Sequence, residues 1–288
     1  SCTMLQATAK LCCGIAHDHL RRLPGKYFSP PLQPQEKRTE KRALKAMLRV
    51  LFTLVCLTPV ATSPEPAGDI SPCHFSRVDL SYIAQGERAL QQALSILQQH
   101  TSWQTETKLD VGAVVSSATL PGLGKVFRTE VVLAVPVAQL HRELFEKIEQ
   151  MPQWNPTLSH VKVLQHVGTD TLVTHEVTAP SPGNLVGQRD FVSVRHCGRR
   201  KTEIYLVGTA THIEPLPLQE GCIRAESRLS CIVLQPLAGD PARTRFTWLL
   251  SMDLKGWIPV SVVNRVLPQS QADFIKHLCQ HLSVTACP

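Results

Sequence analysis

The sequence lacks the common motifs of catalysis. It has no Gly-x-Ser-x-Gly, no His-Glu-x-x-His and no Gly-x(4)-Gly-Lys-[Ser/Thr], and the acidic residues after position 50 are scattered. These motifs position a nucleophile, a zinc ion or a phosphate group. The partial match at Gly122, Gly124 and Lys125 is more typical of a hairpin turn than of a phosphate loop. We therefore predict a protein that is not an enzyme and has no cofactor.

Cysteine frameworks and metal motifs are also missing. None of the ten cysteines forms a Cys-x-x-Cys pair, which favours free thiols in a reducing compartment. His277 and His281 have the spacing of two ligands on one helix, with Cys279 between them. No further ligands accompany them, so we favour an ordinary helix flank over a zinc site and predict no metal.

Most of the chain has no net charge. Residues 1–50 hold ten of the 30 basic residues and three of the 23 acidic ones, so the whole net charge of +7 lies there. The remaining 238 residues are neutral, with 20 charges of each sign. A nucleic-acid-binding domain would carry its basic residues on the folded body. The pattern therefore argues against a nucleic-acid partner.

The N-terminal segment 1–27 is basic and amphipathic. Leu5, Ala9, Cys12, Ala16 and Leu20 share one side of a helix, and basic residues fall on the other. This is typical of a mitochondrial targeting segment, with a basic disordered tail as the alternative. Residues 28–75 are predicted to be a linker. Their uncharged run at 50–64 is too short and too interrupted by Pro59 and threonines to span a membrane comfortably.

Residues 76–284 have the pattern of one α+β domain. Apolar spacing predicts helices at Ser81–His100, 137–151 and Pro259–Leu282, the last containing Pro268. Short β-branched runs between turn residues predict an antiparallel sheet. The runs are 113–120, 125–135, 161–167, 171–177, 190–197, 202–213, 222–237 and 244–257. A curved sheet around a long straight helix leaves an apolar gap, which predicts a ligand tunnel.

Two charged residues lie among apolar and small neighbours on adjacent predicted strands. On a two-residue period, Glu176 shares a face with Thr174, and Arg195 shares one with Ser193. If these faces point into the tunnel, the pair is buried and can bind one hydroxyl group of an otherwise apolar ligand. A surface salt bridge between strands explains the same residues equally well.

Three segments resemble the START lipid-transfer family: WNPTLSHVKVLQHVGTDTLVTHEV, NLVGQRDFVSVR and WLLSMDLKGWIP. The resemblance runs from about Leu80 to Leu282 and resumes at MLQATAKLCCGIAHDHLR, residues 4–21. It implies a helix-grip fold, in which a curved antiparallel sheet holds the long C-terminal helix around a hydrophobic tunnel. The implied domain is 76–284, followed by a tail at 285–288.

The resemblance also implies a function. One cholesterol molecule would be bound and moved from the outer to the inner mitochondrial membrane for steroid synthesis. Glu176 and Arg195 match the family's buried pair near the sterol hydroxyl. The positions expected near the tunnel are Met151, Leu206, Ser270 and Phe274. Arg199, Arg200 and Thr202 form a basophilic-kinase pattern where the family has a regulatory serine, so Thr202 is a candidate for phosphorylation.

The implied partners are cholesterol, the surface of the mitochondrial outer membrane and a basophilic kinase. Two alternatives stay open on the sequence. In the first, the cargo is another lipid, such as an oxysterol or a phospholipid. In the second, the tunnel belongs to an enzyme of the same fold.

Overall fold

A computed structural model describes residues 75–108, 113–180, 186–214, 216–283 and 286–287. They fall within one compact unit, Pro72–Pro288. The predicted targeting segment 1–27, the apolar run 50–64 and all of the linker except Phe75 lie outside the described residues. Among the helices that are described, none is long and apolar enough to cross a membrane.

The described part of the domain has three α-helices and ten strands. The helices are α1 (Arg77–Gln98), α2 (Val137–His141) and α3 (Val260–Leu282). The strands are β1 (Gln104–Lys108), β2 (Val114–Leu120), β3 (Gly124–Leu133), β4 (Leu158–Val167), β5 (Thr171–Thr178), β6 (Arg189–Arg200), β7 (Glu203–Ala210), β8 (Ile223–Leu237), β9 (Asp240–Asp253) and β10 (Ala286–Cys287). All eight predicted runs form strands, whereas β1 and β10 were missed.

The strands form one sheet in the order β1-β2-β3-β9-β8-β7-β6-β5-β4, with β10 beside β3. Pairing is antiparallel, apart from a short parallel contact between β6 and β8. Register shifts interrupt the β1–β2, β4–β5 and β8–β9 ladders. Such bulges bend strands, so they help to curve the sheet.

The two faces of the sheet have different partners. The outer face packs against α1; there Val173, Val192 and Val194 form a cluster with Tyr82. The inner face packs against α3; there Phe127 and Phe191 cluster with Leu267. The predicted helix-grip architecture, a curved antiparallel sheet around the C-terminal helix, is confirmed.

Helix α1 begins earlier than the predicted Ser81. Ser76 Oγ accepts a hydrogen bond from the Asp79 amide at 3.0 Å, and Asp79 Oδ2 accepts one from the Ser76 amide at 2.8 Å. This capping box satisfies two amides that a helix start leaves unpaired. The helix therefore starts at Arg77, and it ends at Gln98 instead of His100.

The predicted helix 137–151 is wrong as a single α-helix. After α2, residues Arg142–Glu146 form a π-helical turn, and Ile148–Gln153 form a 3₁₀ helix that contains Pro152. The apolar residues keep a helix-like spacing, but the backbone changes its hydrogen-bond period twice. In contrast, α3 closely matches its predicted span and continues through Pro268.

Gly86 allows α1 to lie directly on β6. A Cβ atom at this position would come within 2.4 Å of His196 Cβ, which has little freedom to move. We expect Gly86→Ala to lower the free energy of unfolding by about 1–3 kcal/mol, measured by urea titration. Helix propensity alone predicts the opposite, a gain of about 1 kcal/mol.

The control is Ala84→Gly at an exposed position of the same helix. It should cost about 1 kcal/mol through propensity alone. A Gly86→Ala variant as stable as the original chain would show that α1 is not held this tightly against β6.

Candidate functional site

Glu176 and Arg195 lie side by side on the inner face. They come from neighbouring strands, β5 and β6, and the register places Leu172 opposite Arg195 and Phe191 opposite Glu176. Leu172 belongs to the apolar cluster that contains Phe274, and Phe191 to the one that contains Leu267. The ion pair is therefore flanked on its own face by apolar clusters that include α3.

The pair is joined by several hydrogen bonds to one oxygen. Arg195 donates from Nε to Glu176 Oε1 at 2.9 Å and also from Nη2 to the same atom. Thr174 Oγ1 donates to Glu176 Oε1 at 3.0 Å and accepts from Arg195 Nε at 3.2 Å. The side chains of Arg195 and Glu176 are 25% and 12% exposed, respectively. This geometry fits an interior ion pair better than the surface salt bridge.

Each partner keeps one free hydrogen-bonding atom. Within the described ranges, no protein atom is hydrogen-bonded to Arg195 Nη1 or Glu176 Oε2, and neither atom is fully buried. Arg195 Nη1 lies 3.8 Å from where a Cβ of Gly208 would be, so the glycine leaves space beside the guanidinium. A hydroxyl group donates one hydrogen bond and accepts others. The pair therefore offers one donor and one acceptor to a single hydroxyl.

The other predicted tunnel residues divide into two sets. Met151, Leu206 and Phe274 are buried in one apolar cluster of the inner face. Phe274 also contacts Trp154 and Trp248, with ring centroids 5.6 and 4.9 Å apart. Ser270 is only partly buried, and its hydroxyl donates to the Val266 carbonyl of its own helix at 2.9 Å. The structure thus brings three of the four together in one cluster.

The C-terminal part of α3 is attached to the segment after α2. His281 Nε2 lies 3.1 Å from Glu143 Oε2, and the His281 ring stacks on Trp154 at 5.2 Å. Burial acts to raise the pKa of Glu143, but its bonds to His281 and Lys147 outweigh burial and hold it below the ordinary value. His281 therefore contributes to packing between α3 and this segment. The described residues contain no group of three or more His, Cys, Asp or Glu side chains that could hold a metal ion.

Cys197 lies beside a histidine that is able to act as a general base. Its Sγ lies 3.5 Å from His141 Nε2, and both residues are buried. Burial raises the pKa of Cys197 to about 11. The thiolate is the nucleophilic form, so Cys197 is a neutral, unreactive thiol near pH 7. Four of the described cysteines are free thiols: Cys197, Cys222, Cys231 and Cys279.

Sequence reasoning missed two buried charged residues at the start of β6. Arg189 donates from Nε, Nη1 and Nη2 to the carbonyls of Leu254, Gly187 and Lys255 at 3.0, 2.6 and 3.1 Å. It therefore ties β6 to the loop that leads into α3. Burial lowers its pKa. The only available signal was the position of Arg189 between a glycine-containing turn and an apolar strand.

The second missed residue is Asp190, whose side chain is 0% exposed. Its Oδ2 lies 2.9 Å from His175 Nε2 and accepts a hydrogen bond from Arg224 Nε, also at 2.9 Å. These three residues join β5, β6 and β8 on the outer face. They are far along the chain from one another, so no local motif reveals them.

Thr202, the predicted phosphorylation site, lies in an exposed turn, as access by a kinase requires. Lys201 and Thr202 form the tight turn between β6 and β7, and Lys201 has a left-handed φ of 52°. Thr202, Arg199 and Arg200 are exposed. The Thr202 hydroxyl is thus accessible and close to basic residues.

Comparison with known proteins supports the fold and the family. A family model described as "START domain" matches residues 83–285. The chain belongs to the START domain family. The match covers strands β1 to β9, the Glu176–Arg195 pair and all of α3.

START relatives match over almost their full length. "Steroidogenic acute regulatory protein, mitochondrial" from Gallus gallus is 44% identical over 98% of this chain and 99% of its own. The Homo sapiens protein of the same name is 43% identical over 97% and 96%, respectively. Among solved START structures, "Human StAR-related lipid transfer protein 5" has a TM-score of 0.63 at 18% identity and covers 70% of this chain and 96% of its own. This last likeness concerns the fold alone.

Proposed function

We propose that this protein binds one cholesterol molecule between the sheet and α3 and moves it from the outer to the inner mitochondrial membrane, supplying steroid synthesis. The names of the full-length relatives support the mitochondrial and steroidogenic role. The observation that carries sterol binding is the Glu176–Arg195 pair, with one free donor and one free acceptor on an apolar face.

Binding follows from the chemistry of this pair. Arg195 Nη1 donates to the oxygen of the sterol hydroxyl, and that hydroxyl donates to Glu176 Oε2. Hydrogen bonds to charged groups contribute about 1.5–3 kcal/mol each, while the ring system displaces water from the apolar face. Bonds already present within the pair hold both side chains in place. No covalent step occurs, and the protein is a carrier instead of an enzyme.

The proposed contact with the outer mitochondrial membrane is the turn before α3 together with the first residue of that helix. Trp257 is 94% exposed and Val260 73% exposed, and tryptophan is favoured at membrane–water interfaces. Contact there would bring the membrane to the start of α3, whose displacement admits the sterol. Thr202 is the proposed phosphorylation site for a basophilic kinase, because it is exposed beside Arg199 and Arg200.

The test is a titration of the full chain with a fluorescent cholesterol analogue. We expect saturable binding with one site per chain, and a dissociation constant about 10- to 100-fold higher for Glu176→Gln and for Arg195→Gln. Because both side chains are partly exposed, melting temperatures should fall only modestly. The control, Arg245→Gln, removes an exposed ion pair with Glu130.

Two results would contradict the proposal. Absence of saturable binding would reject sterol binding itself. Unchanged affinity in both Glu176 and Arg195 variants would reject the hydroxyl contact. Mass spectrometry of lipid extracted from the purified chain provides an independent check: a phospholipid headgroup in place of a sterol would favour another cargo, and conversion of bound lipid during incubation would favour an enzyme.

A further inference from the structure

Among the buried oxygen atoms that have no hydrogen-bond partner within the described residues, two lie where β3 and β9 meet α3. They are Thr129 Oγ1 and Gln271 Oε1. Both residues are 0% exposed, and each oxygen has less than 1 Å² accessible. Leaving such a group unpaired costs about 1–3 kcal/mol. The fold itself gains nothing from either oxygen.

The two oxygens belong to neighbouring groups on opposite sides of the sheet–helix interface. Thr129 lies on β3 between Phe127 and Val131, which both face inwards. Gln271 lies on α3, and its Nε2 donates to the Trp248 carbonyl at 3.3 Å. Trp248 is the register partner of Thr129 on β9. The amide of Gln271 is therefore bound to the strand residue directly beside Thr129.

The chemistry of this site repeats that of the Glu176–Arg195 pair. The Thr129 hydroxyl can donate, and the Gln271 carbonyl oxygen can accept. A ligand hydroxyl placed between them accepts from the first and donates to the second. In the closed arrangement both atoms are covered, so the hydroxyl enters as α3 separates from the sheet to admit the ligand.

The separation of the two polar sites matches one sterol molecule. Arg195 is on β6 and Thr129 on β3, four strands apart in the sheet order. At about 4.8 Å per strand the separation is about 19 Å along the sheet, and less across its curvature. This is comparable with the length of a sterol from its ring hydroxyl to the end of its side chain. The row of paired residues that starts at Arg195 runs through Gly208, Ser230 and Leu250 to Phe127, which is two residues from Thr129 on the same face of β3.

We propose that Thr129 and Gln271 form a second polar subsite, which binds a hydroxyl group on the side chain of a sterol whose ring hydroxyl contacts Glu176 and Arg195. The protein then accepts side-chain-hydroxylated sterols as well as cholesterol, and it favours the former. This inference rests on the proposed sterol binding and specifies its ligand class.

The test compares cholesterol with a sterol hydroxylated at the end of its side chain, each titrated into the full chain. We expect the hydroxylated sterol to bind about threefold to tenfold more tightly. Thr129→Val keeps the shape and removes the hydroxyl, so this preference should fall to about one. Gln271→Met should act in the same direction, while Thr129→Ser should retain the preference.

Thr247→Val is the matched control, because Thr247 is equally a buried strand threonine but faces outwards, next to Leu249. It should leave the preference unchanged. Equal binding of the two sterols by the original chain, or an undiminished preference in Thr129→Val, would overturn the subsite while leaving cholesterol binding intact. If neither sterol binds, the proposed function fails instead.

Discussion

Replacing Arg189 with methionine is expected to lower the free energy of unfolding by about 3–5 kcal/mol. The side chain is 4% exposed, and its three donors satisfy carbonyls of Gly187, Leu254 and Lys255. Methionine fills much of the same volume but leaves those carbonyls without their donors. Urea unfolding at pH 7 measures the loss.

The same substitution should also alter the ligand kinetics. Two of the three carbonyls belong to the loop that leads into α3, so the loop becomes free to move and the helix opens more often. We expect faster amide hydrogen exchange at Lys255–Trp257 and faster sterol release in stopped-flow measurements.

Two further variants separate hydrogen bonding from charge. Arg189→Lys keeps the charge but cannot reproduce the three divergent donors, so it should lose an intermediate amount. Arg245→Met, at a side chain that is 49% exposed, should change stability by less than about 0.5 kcal/mol. Equal losses in Arg189→Met and Arg245→Met would refute the role assigned to Arg189.

Asp190→Asn is expected to cost about 3 kcal/mol at pH 7, the lower end of the range for breaking a buried ion pair. The carboxylate is fully buried, whereas its partner Arg224 is 25% exposed and can turn towards water. The loss comes from the two hydrogen bonds to Asp190 Oδ2 and from the unpaired cation. Denaturant unfolding of the two chains side by side gives the difference.

The pH dependence of this difference has a defined sign. Burial acts to raise the pKa of Asp190, but hydrogen bonds from Arg224 and His175 outweigh it, and the pKa lies below its ordinary value. The stabilisation is therefore complete above the unfolded pKa of about 3.9 and is lost as pH falls through the folded pKa. The contribution of Asp190 should be constant between pH 7 and 5 and shrink below about pH 4. A difference that already disappears at pH 5 would contradict this assignment.

Much of the fold could be predicted because its strands and helices carry clear periodic patterns. Strand β1 could not, since its sequence QTETK is polar and its described side chains are exposed at the sheet edge. The backbone of the segment after α2 could not be predicted, because apolar spacing does not distinguish α-helical turns from π and 3₁₀ turns. Apolar spacing alone predicts that α1 starts at Ser81, because it does not reveal the capping box at Ser76.

The candidate site was only partly accessible to sequence reasoning. Alternation along a strand placed Glu176 and Arg195 on definite faces, but it could not say which face is covered by α3. Arg189 and Asp190 were missed because their burial depends on loops and strands that return from distant parts of the chain. Thr129 was missed because threonine is an ordinary strand residue, and its isolation is visible only once α3 covers it.

The position of β9 determines the order in which the domain can be completed. Strands β4 to β8 pair mainly with their neighbours in sequence, so they can assemble from local hairpins. In contrast, β3 cannot complete its pairing before β9 has been synthesised, since Phe127 pairs with Leu250. Helix α3 follows β9 in the chain. Long-range pairings of this kind slow folding. During synthesis, β1–β3 therefore lack their central neighbour until the last part of the chain emerges, and the interior between the sheet and α3 is the last region to form.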